Sequence, residues 1–267
     1  MMKIRDIINY LEHRFPRNNA EDFDKMRIGF NIGSLEKKVT NVMLSLDLTE
    51  EVLQDAIDNN CNLIITHHPF IWEPFYKFMF EDYKTQIIKK LLEKEISVYS
   101  MHTNLDVADG GVNDTLAEML GISDIISYPI NTESNKGVFL RYGKINPIKF
   151  DDFIENVKMI FNLSGVRYIG NLDTTIESIG IIGGAGGGIN EINDALNLKL
   201  DCYITGELRL NCAQYAYAKG LNMIEVNHGI EKFVFQSLIE ELINEFNEKM
   251  SGCFFITKYD TDPLKTK

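Results

Sequence analysis

The chain has 267 residues, 45% of them apolar and 25% charged, and a formal net charge of −12. That length and composition suit one large or two small globular domains, and so acidic a balance without a basic cluster excludes nucleic acid as an expected partner, because binding it rests on Lys and Arg neutralising phosphates. No apolar run approaches a membrane span, the start Met1-Met2-Lys3-Ile4-Arg5-Asp6 has no apolar signal core, and the four cysteines form no C-x-x-C pair, so the expectation is a cytoplasmic protein with neither membrane association nor a thiolate zinc site.

Apolar groups at Ile4, Ile7, Ile8, Leu11 and Phe15 predict an amphipathic helix closed by Pro16. Residues 17–33 read as irregular, with a short strand inside Gly29–Gly33. A strand is expected over Val39–Leu48. Thr49 then caps a helix to about Asn59, with Glu50 and Glu51 in its first turn. The apolar run Leu63–Thr66 has the character of a buried central strand and ends in His67-His68-Pro69. Because successive strand side chains face opposite ways, both histidines can serve one site only if the chain leaves strand geometry there, and Pro69 favours that. The aromatic stretch Trp72–Phe80 is expected to pack over the sheet edge, with a subunit contact as the second reading.

A helix over Lys84–Lys94, a strand over Ile96–Met101 and a helix over Asp114–Leu120, capped by Asn113 and stopped by Gly121, continue the alternation. The polar segment Asn131–Lys136 marks a boundary between a first domain, 1–130, completed by 228–267, and a second, 131–227. In the second, strands are expected at Val138–Tyr142, Val166–Ile169, Ile176–Ile182, Asp201–Thr205 and Leu221–Val226. Helices are expected at Phe150–Phe161, after Gly188 to about Leu196, at Glu207–Lys219 and from about Glu231 to Lys249. Phe254–Thr257 adds a last strand, and Lys258–Lys267 reads as a loose polar tail. Two similar βα series call for an α/β fold of two similar α/β domains with mostly parallel or mixed sheets.

Three strand ends carry the chemistry: Thr66-His67-His68-Pro69, Met101-His102-Thr103-Asn104-Leu105-Asp106 and Val226-Asn227-His228-Gly229-Ile230-Glu231. Four of the chain's five histidines fall there, leaving only His13, read as a surface residue. Ligands gather beyond the carboxyl ends of strands in such sheets, and imidazole with carboxylate is the ligand set of Zn, Fe or Mn. His228 and Glu231, three apart at a helix start, share a face. Three histidines and two acids exceed the needs of one tetrahedral metal with an open position; two divalent ions sharing a carboxylate fit better. The glycine loop Gly183-Gly184-Ala185-Gly186-Gly187-Gly188 follows a strand and opens a helix. It offers either an anion cradle, with Gly184, Gly186 and Gly187 as substrate contacts, or tight backbone packing. Glu207, in Thr205-Gly206-Glu207, either favours its helix start or faces the same cavity.

At Ser45-Leu46-Asp47, Asn62–Pro69, His102–Asp114, Gly183–Gly187 and Tyr203–Glu207 the sequence resembles the dinuclear metal-centre family of NGG-one-interacting factor three proteins, whose bacterial members are labelled GTP cyclohydrolase I type 2. The resemblance covers nearly the whole chain. It implies a pair of α/β domains with two metals between them, held by His67, His68, Asp106, His228 and Glu231. His102 would be a neighbouring acid, base or supporting group. It further implies a metal-dependent hydrolase acting on a small nucleotide-like substrate, in ring-like homo-oligomers, commonly hexamers; the alternative is a non-catalytic metal-binding scaffold. Three departures stand out. The last motif is His-x-x-Glu where the family has His-x-x-x-Glu, no histidine follows Thr205-Gly206-Glu207, and the family's Trp-Asp-Asn is altered around Phe23-Asp24.

Overall fold

The computed structural model describes residues 2–128, 138–246, 249 and 252–265. In chain order the elements are α1 (Ile4–Arg14), β1 (Gly29–Ile32), β2 (Asn41–Ser45), α2 (Glu50–Asp58), β3 (Cys61–Thr66), α3 (Tyr83–Glu93) and β4 (Ser97–Ser100), then the single turn α4 (Thr103–Asp106). There follow α5 (Val112–Met119), β5 (Ser123–Tyr128), β6 (Leu140–Lys149), α6 (Phe150–Ile160), β7 (Arg167–Ile169), β8 (Thr175–Ile182), α7 (Ile189–Asn197), β9 (Cys202–Thr205), α8 (Leu210–Lys219) and β10 (Asn222–Glu225). A 3-10 helix (His228–Phe233), α9 (Val234–Phe246) and β11 (Phe254–Ile256) complete the chain. Two compact units result: 1–105 with 234–261, and 106–233 with 262–267. The polar segment 131–136, the expected boundary, lies outside the described residues.

The first unit is built on a sheet ordered β1-β4-β3-β2-β11, in which β11, β2, β3 and β4 run parallel and β1 pairs antiparallel with β4. Leu63, Ile64 and Ile65 on the central β3 are fully buried, as expected of a strand covered on both faces. Val52, Leu53 and Ala56 of α2 and Ile87 and Leu91 of α3 cover one face. Thr49 caps α2 by accepting from Val52 N, and the face of α1 predicted from its spacing is the buried one. The second unit's sheet is ordered β5-β6-β8-β9-β10-β7, with β8, β9 and β10 parallel and the flanking pairs antiparallel. Two α/β units with mixed sheets are therefore what the chain forms.

Several boundaries differ from expectation, each for a tertiary reason. β5 was not anticipated: its polar run Ser123–Tyr128 becomes a strand only by pairing with β6. β6 runs past Gly143 and Pro147 to Lys149 because its register with β8 shifts between Lys144 and Ile148, an irregularity that accommodates proline. α8 starts at Leu210 rather than Glu207, since Leu208 is held extended by a bridge to Gly187 and its N–H donates to Glu225. The cap of α5 is Gly111, and Asn113 lies inside the helix. Nor are the described residues of the tail from Lys258 onward loose throughout. The Thr257 hydroxyl and Lys258 N–H donate to Asp55, and the Thr261 hydroxyl donates to Asp47.

Cys61, Cys202 and Cys212 are buried, and Cys253 is exposed. Burial, with Asp55 nearby, pushes the Cys61 thiol up to about 12, and burial pushes Cys202 well up too. Since the thiolate is the reactive form, an aromatic disulfide reagent at pH 8 should modify one thiol of the native protein rapidly, at Cys253, and three more only after denaturation. Mass mapping of the modified peptides checks this.

Candidate metal centre

In the first unit the carboxyl ends of three adjacent parallel strands supply the site. β3 delivers His67 and His68, β4 delivers His102, and β2 delivers Asp47. Beyond β3 the chain turns: the Thr66 hydroxyl donates to His68 O (2.9 Å), while His67 N and His68 N donate to Ser45 O and Leu46 O. This departure from strand geometry puts the two imidazoles side by side, with ring centroids 4.9 Å apart, and His102 lies 5.2 Å from His67 and 5.6 Å from His68. Each of the three offers one ring nitrogen, and these nitrogens lie within 4.8 Å of one another. His67 is fully buried.

Two carboxylates orient the set. Asp47 Oδ1 is 2.7 Å from His68 Nδ1, and its Oδ2 accepts from Thr261. Asp24, fully buried, places Oδ1 3.0 Å from His102 Nδ1, while its Oδ2 accepts from both the N–H and the hydroxyl of Thr103. Burial works against the charge of both acids. For Asp24 the opposing effects of His102 and Thr103 prevail, for Asp47 those of His68, Thr261 and His67, and both end below the usual carboxylate range. The Asp47 carboxylate on Nδ1 fixes the tautomer of His68 and leaves its Nε2 for a metal, while Asp24 sets its charge beside His102 Nδ1. Neither acid was singled out as a site residue from the sequence. Asp47 stood within a recognisable strand-end motif, whereas Asp24, in an irregular stretch, gave no periodic signal.

The second unit uses the same device. β8, β9 and β10 end respectively in the glycine loop, Glu207 and His228. His228 and Glu231 sit on the 3-10 helix rather than the start of an α-helix, with Nε2 to Oε2 at 3.2 Å. His228 Nδ1 is 2.6 Å from Glu207 Oε1, so Glu207 precedes α8 and orients an imidazole instead of favouring a helix start. Glu231 and Asp106 are buried. Asn113 ties this region together: its amide donates to Asp106 O (3.1 Å) and its carbonyl accepts from Gly183 N (2.8 Å). Gly184 has φ +59°, and a Cβ there would lie 2.5 Å from Glu231 Oε1; one at Gly187 would lie 2.1 Å from Glu207 O. Close backbone approach thus accounts for glycine at both positions.

The aromatic stretch does not pack as expected. Tyr76 is 91% exposed and Phe80 73%, and only Trp72 approaches the histidines, its ring 5.7 Å from that of His102. The donor set suits a first-row divalent ion, which takes imidazole nitrogen and carboxylate oxygen. His13 is exposed, and among the described residues no helix is long and apolar enough to cross a membrane.

Fold and donor set together define a two-unit α/β protein with clusters of histidine and carboxylate at its strand ends that could hold a metal ion. The chain belongs to the Duf34/NIF3 (NGG1p interacting factor 3) family, whose sequence model matches residues 2–263. It is 31% identical over 267 residues to a GTP cyclohydrolase 1 type 2 homolog of Clostridium perfringens, covering 99% of each chain. A Streptococcus pneumoniae protein of the same name is 33% identical over 251 residues, with 92% of each chain covered. Among solved structures, a Bacillus cereus protein related to NIF3 superposes with a TM-score of 0.91 at 25% identity, covering 100% of this chain and 99% of that one. A Staphylococcus aureus hypothetical protein does so with a TM-score of 0.90 at 29% identity and the same coverage.

Proposed function

We propose that the protein is a metal-dependent hydrolase that uses two divalent ions, Zn, Fe or Mn, on a small nucleotide-like substrate, as the names of its relatives suggest. The observation that carries this reading is the meeting of His67, His68 and His102 at adjacent strand ends, with Asp47 and Asp24 behind them. His67, His68, Asp106, His228 and Glu231 are the proposed ligands. Bound there, the ions would lower the pKa of water from about 15.7 toward about 7. His102, held on Nδ1 by Asp24, is placed to move a proton at Nε2. Gly184, Gly186 and Gly187, at the loop that opens α7, would contact the anionic end of the substrate through backbone N–H groups, and Glu207 would accept from a hydrogen-bond donor elsewhere on the substrate. A homo-oligomeric ring, a hexamer, and a cytoplasmic setting belong to the same proposal, and a solution mass measurement tests the ring.

Elemental analysis of unsupplemented protein should give about two divalent ions per chain. Asp106→Asn should lose bound metal and fall to background turnover across a panel of nucleotides and phosphoesters. Equal turnover by wild type and variant would remove the claim of metal catalysis. A second reading, a metal-holding scaffold for protein partners, is favoured by the exposed run Tyr76–Phe80; full metal content with no turnover on the panel would select it.

A further inference from the structure

We infer that Phe23 and Trp72, clamped by Arg27, form a seat for the planar ring of a ligand beside His102, an inference that rests on the metal-centre reading and specifies which part of the substrate binds there. The chain's single tryptophan is 41% exposed and Phe23 is 49% exposed, their ring centroids 6.2 Å apart and inclined at 51°. Leaving two large aromatic rings half in water forgoes hydrophobic stabilisation, and here the rings are fixed in that position. The Arg27 guanidinium lies 4.4 Å from the Trp72 ring centroid and 5.7 Å from that of Phe23. Its Nε donates to Trp72 O (2.7 Å), Nη1 to Phe23 O (2.5 Å) and Nη2 to the Glu73 carboxylate (2.9 Å).

Those contacts decide what the seat accepts. Three of the five N–H donors of Arg27 are engaged and Glu73 pairs with its charge, so the guanidinium serves first as a clamp. What stays open is aromatic surface, and Trp72 meets His102 edge-on at 5.7 Å and 73°. The seat is therefore continuous with the imidazole cluster. Two rigid rings at the rim of a polar centre recognise a flat, uncharged group by stacking, and a heterocyclic base gains most from that arrangement. The rest of the exposed run has no such clamp: Phe75 and Phe78 stack on each other, with centroids 5.4 Å apart.

Because Trp72 is the only tryptophan, emission excited beyond the tyrosine absorption band reports this seat. Metal-loaded, full-length protein is titrated with adenosine 5′-monophosphate, guanosine 5′-monophosphate and ribose 5-phosphate, and the metal content of each sample is measured. Both nucleotides should quench saturably and ribose 5-phosphate should not. By calorimetry, Trp72→Leu should weaken nucleotide binding about tenfold, Phe23→Leu should weaken it in the same direction, and Trp72→Phe should retain most of it, all at wild-type metal content. The inference is overturned if ribose 5-phosphate binds as tightly as the nucleotides, if neither nucleotide quenches, or if Trp72→Leu leaves the affinity intact. A Trp72→Leu variant of lowered solution mass whose nucleotide affinity is unchanged would assign the face to a contact between chains instead. Normal metal content without quenching fails the seat alone, whereas quenching without bound metal fails the metal centre alone.

Discussion

Replacing Arg141 by Met should destabilise the protein by about 3–5 kcal/mol, the cost typical of breaking one side of a buried ion pair. Arg141 lies on β6 and is fully buried. Its Nε pairs with Asp114 of α5, Nη1 donates to Val138 O, and Nη2 donates to Val107 O at 3.1 Å. Met fills much of the volume but satisfies neither the carboxylate nor the carbonyls, and unmade buried hydrogen bonds are the expensive ones. Lys should rescue poorly, because a point charge cannot span partners that a planar fork reaches together. In Arg141→Met/Asp114→Asn, with the orphaned charge gone, part of the loss should return. Denaturant midpoints at constant m-value read these differences. The consequence reaches the candidate site, because α5 also carries Asn113, which holds Asp106 O and Gly183 N. The Arg141→Met protein should therefore bind metal more weakly even where it remains folded.

His67→Ala should abolish metal binding, Asp47→Asn should weaken it by about 10–100-fold, and Asp24→Asn should lower turnover by a like factor with metal retained. His67 is the fully buried member of the trio and lies within ring-contact distance of both His68 and His102, so water would not readily take its place. Asp47 and Asp24 act at one remove, on Nδ1 of His68 and His102. Asn keeps their shape but loses the charge beside an imidazole that serves as a ligand at His68 and as a proton carrier at His102. Competition with a chromogenic chelator should show the loss in His67→Ala far above that in Asp47→Asn, and turnover on the nucleotide and phosphoester panel should show the loss in Asp24→Asn. Equal, small effects for all three variants would indicate that these histidines serve packing.

Local geometry accommodates the unusual spacing of His228 and Glu231. An α-helix aligns residues four apart, as in the family's His-x-x-x-Glu, but a 3-10 helix has three residues per turn and eclipses positions i and i+3. His228 and Glu231 lie on such a turn, 3.2 Å apart, so the shorter motif still presents both side chains together.

Much of this protein was legible from its sequence. Buried parallel strands read as apolar runs, α2 declared its start through Thr49, and the histidines at strand ends marked the chemistry, because these signals are local: a few adjacent residues set both burial and backbone. What the sequence alone could not settle was everything that depends on a distant partner. Ser123–Tyr128 is a strand only because β6 lies beside it, the Trp72–Phe80 stretch is exposed although its composition suits a core, and Asp24 matters only because the fold carries it to His102. Arg141 looks like a surface cation until Asp114 closes over it. Hydrogen bonding and charge pairing between elements far apart in the chain made these choices, and nothing in the periodicity of either partner encodes where the other will be.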